Sequence, residues 1–412
     1  MVMLTNTEKR VTLYSDDSNI PTVPSEVKHN TPLESLNLNW RERDLPEAQR
    51  TKHVHRLHPY LGKFIPQLVE IFLRKYFKKG ETILDPFVGS GTTLIQANEL
   101  GINSIGYDIS AFNVLLCKVK TAKYDLAKAH KEVMDILQKV RKTTHSYKSS
   151  ESLFEKNSQH HENKVHTEDS YLNKWFAPQT LFELLTYRDL INTGEYEYGD
   201  LHRVILSRSA RSARLTTHFD LDFPKHPQTE PYWCYKHSRT CSPTEEAYKF
   251  LYRYSIDTLE RIGQFAKLRT DAFVNVYNVD SRNADIPPIH GVISSPPYVG
   301  LIDYHEQHAY SYHLLGMPEN ASNEIGSFRK GRSPKAKEDY KRDIATVFKR
   351  AIDSMPSGRH LIIVAHDRSD LYSGIAEILN VTVEGVIQRH VNRRTGRRAG
   401  EFFESVFIWR KP

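Results

Sequence analysis

Cysteine and long apolar runs are both scarce in this sequence. Only Cys117, Cys234 and Cys241 occur in 412 residues, which is too few for a disulfide-based fold and is typical of a reducing compartment. No apolar stretch approaches the ~18 residues that a membrane-spanning helix needs. The first residues lack the charged and then apolar layout of an export signal. We therefore expect a cytoplasmic protein with no membrane association.

The charge of the chain is unbalanced towards lysine and arginine. The sequence holds 57 basic residues against 50 acidic ones, which gives a formal net charge of +7. Basic side chains gain affinity for polyanions because they release counterions from phosphates. Many basic proteins bind no nucleic acid, so this charge favours a nucleic-acid partner without establishing one.

The patterning of the chain predicts a two-part core with an insertion. Residues 1–50 are polar and broken by prolines, and we interpret them as an N-terminal arm. Residues 51–145 and 268–412 carry the short strands and helices of an α/β domain. Residues 146–267 begin with a polar stretch and continue with helical patterns, which predicts an inserted, mainly helical region. Its length far exceeds the ~30 residues of one further crossover, so target recognition is expected there.

A glycine-rich motif follows the first predicted strand of the α/β domain. Residues 85–93 read Asp-Pro-Phe-Val-Gly-Ser-Gly-Thr-Thr, and Gly89 and Gly91 allow a tight bend and the close approach of a ligand. The helix that starts there offers free N–H groups. Asp108 closes the next strand, where a carboxylate can bind both hydroxyls of a ribose. No lysine follows the glycines and the third dinucleotide glycine is missing, so neither a phosphate loop nor a dinucleotide fingerprint is indicated.

A second motif follows the predicted strand at 291–293. Residues 294–298 read Ser-Ser-Pro-Pro-Tyr, and successive prolines leave carbonyls without neighbouring N–H donors. An exocyclic amino group donates two hydrogen bonds, which Ser295 and a proline carbonyl are suited to accept. The face of Tyr298 is suited to stack an extruded base. No cysteine lies beside the motif, so a covalent route through a thiol nucleophile is not indicated.

Both motifs resemble those of the DNA amino-methyltransferases. Residues 58–68 also resemble the segment that those enzymes pack over the methionine end of their cofactor. The resemblance covers roughly residues 55–120 and 270–410. It implies a Rossmann-like, mainly parallel seven-stranded sheet with helices on both faces. The terminal hairpin predicted at 381–391 and 402–409 would supply the antiparallel strand.

The resemblance also implies a cofactor, S-adenosyl-L-methionine, and a set of site residues. Lys63 and Tyr60 would lie near the cofactor carboxylate, and Asp280 would hold the adenine amino group. The implied cofactor-binding residues are Tyr60, Lys63, Asp85, Pro86, Phe87, Gly89, Gly91, Thr92, Asp108 and Asp280. The implied catalytic residues are Ser295, Pro296, Pro297 and Tyr298.

The residue before Pro-Pro-Tyr indicates the target atom. In the family that this chain resembles, serine at this position goes with the N4 of cytosine, and aspartate or asparagine with the N6 of adenine. The order of the two motifs is more familiar among adenine methylators, so adenine-N6 stays open as an alternative. An RNA guanine-N2 methyltransferase and an inactive DNA-binding regulator are more distant alternatives. The implied partners are double-stranded DNA and a cognate restriction endonuclease that is not a stable subunit.

Two arginine clusters are candidates for contact with DNA. Arg208, Arg211 and Arg214 lie at near-helical spacing, and one face of that helix could follow a groove. A solvated charged helix explains the same spacing equally well. Arg394 and Arg397 lie at the tip of the terminal hairpin, which predicts a phosphate clamp.

Four residues of the predicted insertion are possible zinc ligands. They are Cys234, His237 and Cys241, with His226 upstream. Their spacing matches no standard zinc finger closely. The sequence therefore assigns no metal.

Overall fold

The structure is a computed structural model of the chain. It describes residues 12–14, 20–154, 167–300, 303–327, 330–391 and 402–412. Among these residues, no helix combines the length and the apolar character that crossing a membrane requires.

Ten strands and thirteen α-helices occur in the described residues. The strands are β1 (Thr12–Tyr14), β2 (Thr82–Asp85), β3 (Asn103–Asp108), β4 (Tyr232–Cys234), β5 (Arg239–Cys241), β6 (Val274–Asn278), β7 (Gly291–Ser294), β8 (His360–Ala365), β9 (Thr382–His390) and β10 (Phe403–Arg410). The helices are α1 (Glu47–Arg50), α2 (Pro66–Tyr76), α3 (Thr92–Glu99), α4 (Ala111–Thr121), α5 (Leu126–Phe154), α6 (Ser170–Trp175), α7 (Pro178–Thr193), α8 (Gly199–Ala213), α9 (Tyr248–Ala266), α10 (Tyr304–Gln307), α11 (Ala309–Leu315), α12 (Pro334–Asp353) and α13 (Leu371–Leu379).

The main sheet confirms the predicted Rossmann-like architecture. In the described residues it has eight strands in the order β1-β9-β10-β8-β7-β2-β3-β6. Strands β8, β7, β2, β3 and β6 run parallel, and β10 is antiparallel to both of its neighbours. The predicted terminal hairpin is therefore confirmed.

One strand of the main sheet was not predicted. Strand β1 comes from the segment that we interpreted as an arm, and it pairs in parallel with β9. The sheet thus has one strand more than the expected seven. The physical reason is that the outer edge of β9 offers unpaired backbone groups, which a short extended segment can satisfy.

Side chains of the central strands alternate between the two faces of the sheet. Along β8, Ile362 and Val364 pack in the core that includes α2, whereas Leu361 and Ile363 pack with α12 and α13. Successive residues of a strand point to opposite faces, so a strand that is covered on both sides needs apolar residues at every position. This explains why β8 has a continuous apolar sequence.

The helices between β3 and β6 form a core of their own. Val133, Leu184, Ile205 and Leu251, from α5, α7, α8 and α9, are buried in one cluster that also includes residues of α4 and α11. Helix α5 runs without a break across residue 146, where we expected the insertion to begin. The helical region is therefore packed onto the α/β domain through shared side chains.

Gly291 begins β7 at a point where two neighbours approach its backbone closely. A Cβ atom on Gly291 would stand 2.4 Å from Phe77 Cε1 and 2.7 Å from His360 O. We expect Gly291→Ala to lower the free energy of unfolding by roughly 1–3 kcal/mol, the usual cost of overpacking, as measured by urea unfolding. Gly385→Ala is a matched control in a strand, since its Cβ would meet Leu33 Cδ1 at an ordinary 3.6 Å. Equal stabilities of the two variants would contradict the prediction.

Candidate functional site

A cleft opens at the carboxyl ends of β2, β3 and β7. From β2 the chain proceeds to β3 and β6 on one side, and it then returns to β7 and β8 on the other side. Ligands of open α/β sheets bind where the strand order reverses in this way. The cleft holds about 790 Å³ of space between its walls, part of which is open to solvent.

The two sequence motifs border the same cleft. Among the residues predicted for the site, its lining includes Tyr60, Lys63, Pro86, Phe87, Gly89, Thr92, Asp108, Asp280, Ser295 and Pro297. Four predicted residues, Asp85, Gly91, Pro296 and Tyr298, lie beside or behind the lining. The glycine-rich motif and the proline motif, about 200 positions apart in the chain, are thus brought face to face.

The turn between β2 and α3 depends on glycine. Gly89 and Gly91 have φ angles of +48° and +83°, a left-handed region that other residues rarely adopt. A Cβ atom on Gly91 would also stand 2.9 Å from Cys117 Sγ. The amide of Gly89 donates a 2.8 Å hydrogen bond to Asp108 Oδ2. The turn is therefore fixed against the acid that ends the neighbouring strand.

Asp108 is held by three hydrogen bonds at the wall of the cleft. Besides Gly89, the backbone N–H of Ser110 and the side-chain amide of Asn113 donate to its carboxylate, at 2.8 and 3.1 Å. Burial raises the pKa of Asp108 to about 6, although these hydrogen bonds oppose the shift. A carboxylate in this position suits the two neighbouring hydroxyls of a sugar.

Tyr60 and Lys63 form a further part of the wall of the cleft. The Tyr60 ring stacks on Tyr304 with 5.7 Å between ring centroids, and its hydroxyl accepts a 3.2 Å hydrogen bond from Asn113. Lys63 Nζ donates to His55 O at 2.8 Å, and burial lowers the pKa of Lys63 to about 8. At neutral pH this wall still offers a cation to an anionic ligand group.

Asp85 lies beneath the cleft and does not face it. Its carboxylate is fully buried and accepts hydrogen bonds from the Ser294 hydroxyl at 2.6 Å and from the Phe87 amide at 3.1 Å. It therefore joins the ends of β2 and β7. The expectation that Asp85 contacts the cofactor directly is corrected, because its oxygens are directed into the protein.

The proline motif presents two hydrogen-bond acceptors. Ser295 Oγ is buried, lies near the Tyr298 hydroxyl, and makes no hydrogen bond of normal geometry with a described residue. The Pro297 carbonyl accepts a 2.9 Å hydrogen bond from Tyr340, whereas no described residue donates to the Pro296 carbonyl. Ser295 lines the cleft, whereas Pro296 is buried beside the lining. The Ser295 hydroxyl is therefore the acceptor that the cleft itself offers to an amino group.

Tyr298 lies in the protein core and not on the surface of the cleft. Only 5% of its surface is exposed, and its hydroxyl donates a 2.8 Å hydrogen bond to Glu404. Its ring packs near His366 and Phe402, with centroid distances of 6.0 and 6.4 Å. The expectation of a free stacking face is therefore corrected: a buried tyrosine needs a partner for its hydroxyl, and Glu404 supplies it.

Several lining residues were missed by the sequence reasoning. Asn113 lies on α4, five residues after Asp108. Its position, a polar residue in the first turn after the Ser110 helix cap, was the signal in the sequence that could have identified it. Tyr304 directly follows the proline-motif region. Glu324 lies in a later loop beside His305, and no sequence pattern marks it.

The arginines in α8 and directly after it are turned into the protein. Arg214 is 1% exposed, donates to the carbonyl of Leu221, and lies over the Tyr310 ring at 4.4 Å. Arg208 is buried in an ion pair with Asp257.

The prediction that Arg208 and Arg214 follow a DNA groove is therefore wrong, because a buried guanidinium must be paired inside the protein. Arg211 is paired with Asp222 and is mostly buried. Arg394 and Arg397 lie outside the described residues.

Comparison with known proteins gives a consistent result. A family model described as DNA methylase matches residues 5–119. The chain is 38% identical to the type II methyltransferase M.MjaII of Methanocaldococcus jannaschii over 430 aligned positions, which cover 88% of this chain and 81% of that one. It is 36% identical to M.BsoBI of Geobacillus stearothermophilus over 96 residues (22% and 19% of the two chains). It is 23% identical to M.MvaI of Kocuria varians over 262 residues (59% and 53%).

The Asp85 carboxyl makes stability depend on pH in a direction that can be tested. Burial raises its pKa to about 6 in the folded protein, partly offset by the hydrogen bond from Ser294, whereas an unfolded aspartate has a pKa of about 3.9. The folded state thus binds the proton more tightly, and this contribution to stability is full below about pH 4 and is lost as the pH rises through 6.

Asp85→Asn cannot ionise and keeps an acceptor for Ser294. We expect the free energy of unfolding of the wild type, relative to this variant, to fall by up to ~3 kcal/mol between about pH 4 and pH 7. Urea unfolding at several pH values measures the difference, and the contribution of Asp108 cancels because both proteins contain it. Parallel pH curves for the two proteins would refute the assignment.

Proposed function

The chain belongs to the DNA amino-methyltransferase family, and from this premise we propose that it transfers a methyl group from S-adenosylmethionine to the N4 amino group of cytosine in duplex DNA. The observation that carries the proposal is the buried Ser295 hydroxyl, which makes no hydrogen bond of normal geometry with a described residue and borders the same cleft as the glycine turn. A neutral acceptor placed there suits an exocyclic amine.

The charged groups of the cleft fit the parts of S-adenosylmethionine. Asp108 suits the ribose hydroxyls, and Lys63 suits the carboxylate of the methionine end. Asp280 suits the adenine amino group as an ionised acceptor. Burial acts to raise its pKa, but the hydrogen bonds and the charge of Arg282 outweigh burial and lower the pKa overall. When bound, the cofactor supplies an electrophilic methyl group on its sulfonium.

Ser295 and Pro296 position the amine. The Ser295 hydroxyl and the Pro296 carbonyl each accept one N–H bond, which fixes the plane of the amino group and directs its lone pair across the cleft towards Gly89. Positioning and preorganised dipoles are then the main sources of rate. The cytosine must leave the duplex to reach this point, because a stacked base is inaccessible.

A second candidate target is the N6 of adenine. The order of the motifs along the chain favours it, since the glycine motif precedes the proline motif. Ser295 favours cytosine, because in this family aspartate or asparagine at this position goes with adenine. We give the residue that touches the amine more weight than the order of segments.

The substrate and partner proposals rest on charge and on the relatives. A net charge of +7 suits double-stranded DNA, and phosphate contacts by Arg394 and Arg397 stay a prediction. Residues 146–267 are proposed to carry target recognition. Because the similar proteins are type II methyltransferases, a cognate restriction endonuclease that is not a stable subunit is proposed as partner.

Analysis of the modified nucleosides tests the target atom. DNA treated with the protein and S-adenosylmethionine is digested to nucleosides and examined by mass spectrometry, alongside DNA treated without the methyl donor. We expect N4-methylcytosine, because the Ser295 hydroxyl is a neutral acceptor. N6-methyladenine without N4-methylcytosine would refute the cytosine proposal while leaving the family unaffected.

Removal of the Ser295 hydroxyl tests its role in holding the amine. We expect Ser295→Ala to lower the rate of methyl transfer on the order of 100-fold, as the loss of one preorganised polar group does elsewhere. The affinity for S-adenosylmethionine, measured by calorimetry, should stay nearly unchanged, because Ser295 lies on the side of the target base. Ser369→Ala removes an exposed hydroxyl outside the cleft and is the control. Wild-type rates in Ser295→Ala would eliminate the proposed contact.

A further inference from the structure

A small hairpin interrupts the helical region between α8 and α9. Its strands β4 and β5 have three residues each and form a separate two-stranded sheet. The side chains of Trp233 and Tyr235 are 56% and 78% exposed, so these aromatic residues add little to a core. A two-stranded hairpin of this size is at best marginally stable by itself, so another interaction must hold it.

Four metal-binding side chains meet at this hairpin. His218, Cys234, His237 and Cys241 place one ligand atom each within 4.8 Å of one another. Cys234 Sγ lies 3.4 Å from His218 Nδ1 and 3.7 Å from His237 Nδ1. His237 Nδ1 lies 3.5 Å from Cys241 Sγ. Both cysteine side chains are buried and neither forms a disulfide.

These distances fit a tetrahedral ion. Zinc bonds of about 2.3 Å to sulfur and about 2.0–2.1 Å to nitrogen, at a tetrahedral angle, separate the sulfur and nitrogen ligands by about 3.6 Å. The three sulfur–nitrogen distances in the cluster lie close to this value. Two thiolates with two imidazoles form a donor set that selects zinc over the harder cations.

We propose that His218, Cys234, His237 and Cys241 bind one structural zinc ion. Each cysteine loses its thiol proton on binding, and each histidine binds through its neutral ring. Four protein ligands fill the tetrahedral shell, so the site is closed and structural. His218 Nδ1 lies 2.8 Å from the Tyr232 hydroxyl. The metal replaces the hydroxyl as partner of that nitrogen, and Tyr232 keeps its contact with the His218 backbone N–H.

The proposed ligand set differs from the one that the sequence suggested. His226 is closer to Cys234 in sequence, but it is exposed and does not belong to the cluster. His218 lies in the segment that follows α8, which folds back along β4 through the bonds to Tyr232. The metal thus ties the segment at His218 to the hairpin of β4 and β5. The irregular connection between them is then held at its start by His218 and at its end by the hairpin ligands.

Metal analysis of the whole chain tests the proposal. The protein is purified without chelators and its zinc content is measured by plasma mass spectrometry. We expect about one zinc per chain in the wild type and in His226→Ala, the matched control. His218→Ala and Cys234→Ser should lose most of it. A wild type with no bound zinc, or a loss in His226→Ala equal to that in His218→Ala, would overturn the assignment.

Cobalt substitution gives a readout that needs no variant to fold. Wild-type protein loaded with Co²⁺ should show the intense visible bands of a tetrahedral ion and the charge-transfer band of thiolate ligands. Octahedral cobalt bands would contradict the site, as would a Cys234–Cys241 disulfide found by peptide mass spectrometry. Because the hairpin lies outside the cleft, both measurements are independent of methyl transfer.

Discussion

The buried hydrogen bond from the Ser294 hydroxyl to the Asp85 carboxylate joins the ends of the two central strands. Neighbouring strands lie only about 4.8 Å apart, so the residues that follow these two ends emerge side by side. Asp85 leads into the glycine turn and also accepts from the Phe87 amide, and Ser294 leads directly to Ser295. The glycine turn and the proline motif are therefore attached to one rigid support. Burial raises the pKa of the Asp85 carboxyl, and the hydrogen bond that it accepts from Ser294 is the structural reason for placing a carboxyl there.

The helical region is coupled to this support through polar contacts as well as through its core. The His58 ring lies within hydrogen-bond distance of the Ser207 hydroxyl, at 3.0 Å, and Ser207 lies 2.6 Å from the Ser311 hydroxyl. These contacts link the segment before Tyr60, helix α8 and helix α11. A region that shares buried hydroxyls with the cofactor segment cannot move freely as a tethered domain.

The sequence by itself determined the parts of the protein that depend on local patterns. Short-range rules of geometry and hydrogen bonding identify the short apolar strands and the turn at Gly89 and Gly91. The same rules mark Asp108 and Ser295 as polar residues at the ends of strands. Because parallel strands end at one edge of a sheet, motifs that follow β2 and β7 lie at the same edge once both strands belong to one parallel sheet. The cleft and ten of the 21 residues that line it were predictable for this reason.

Only the tertiary structure decided where side chains with ambiguous roles point. Helical spacing places Arg208 and Arg211 on one helix, but it does not show whether their side chains meet water or a buried partner. Tyr298 turned inward because Glu404, more than a hundred residues away, supplies a partner for its hydroxyl. His218 replaced His226 in the cysteine cluster because a ligand set is chosen by distance in space. Such contacts depend on how remote segments pack, and no local pattern in the chain encodes that packing.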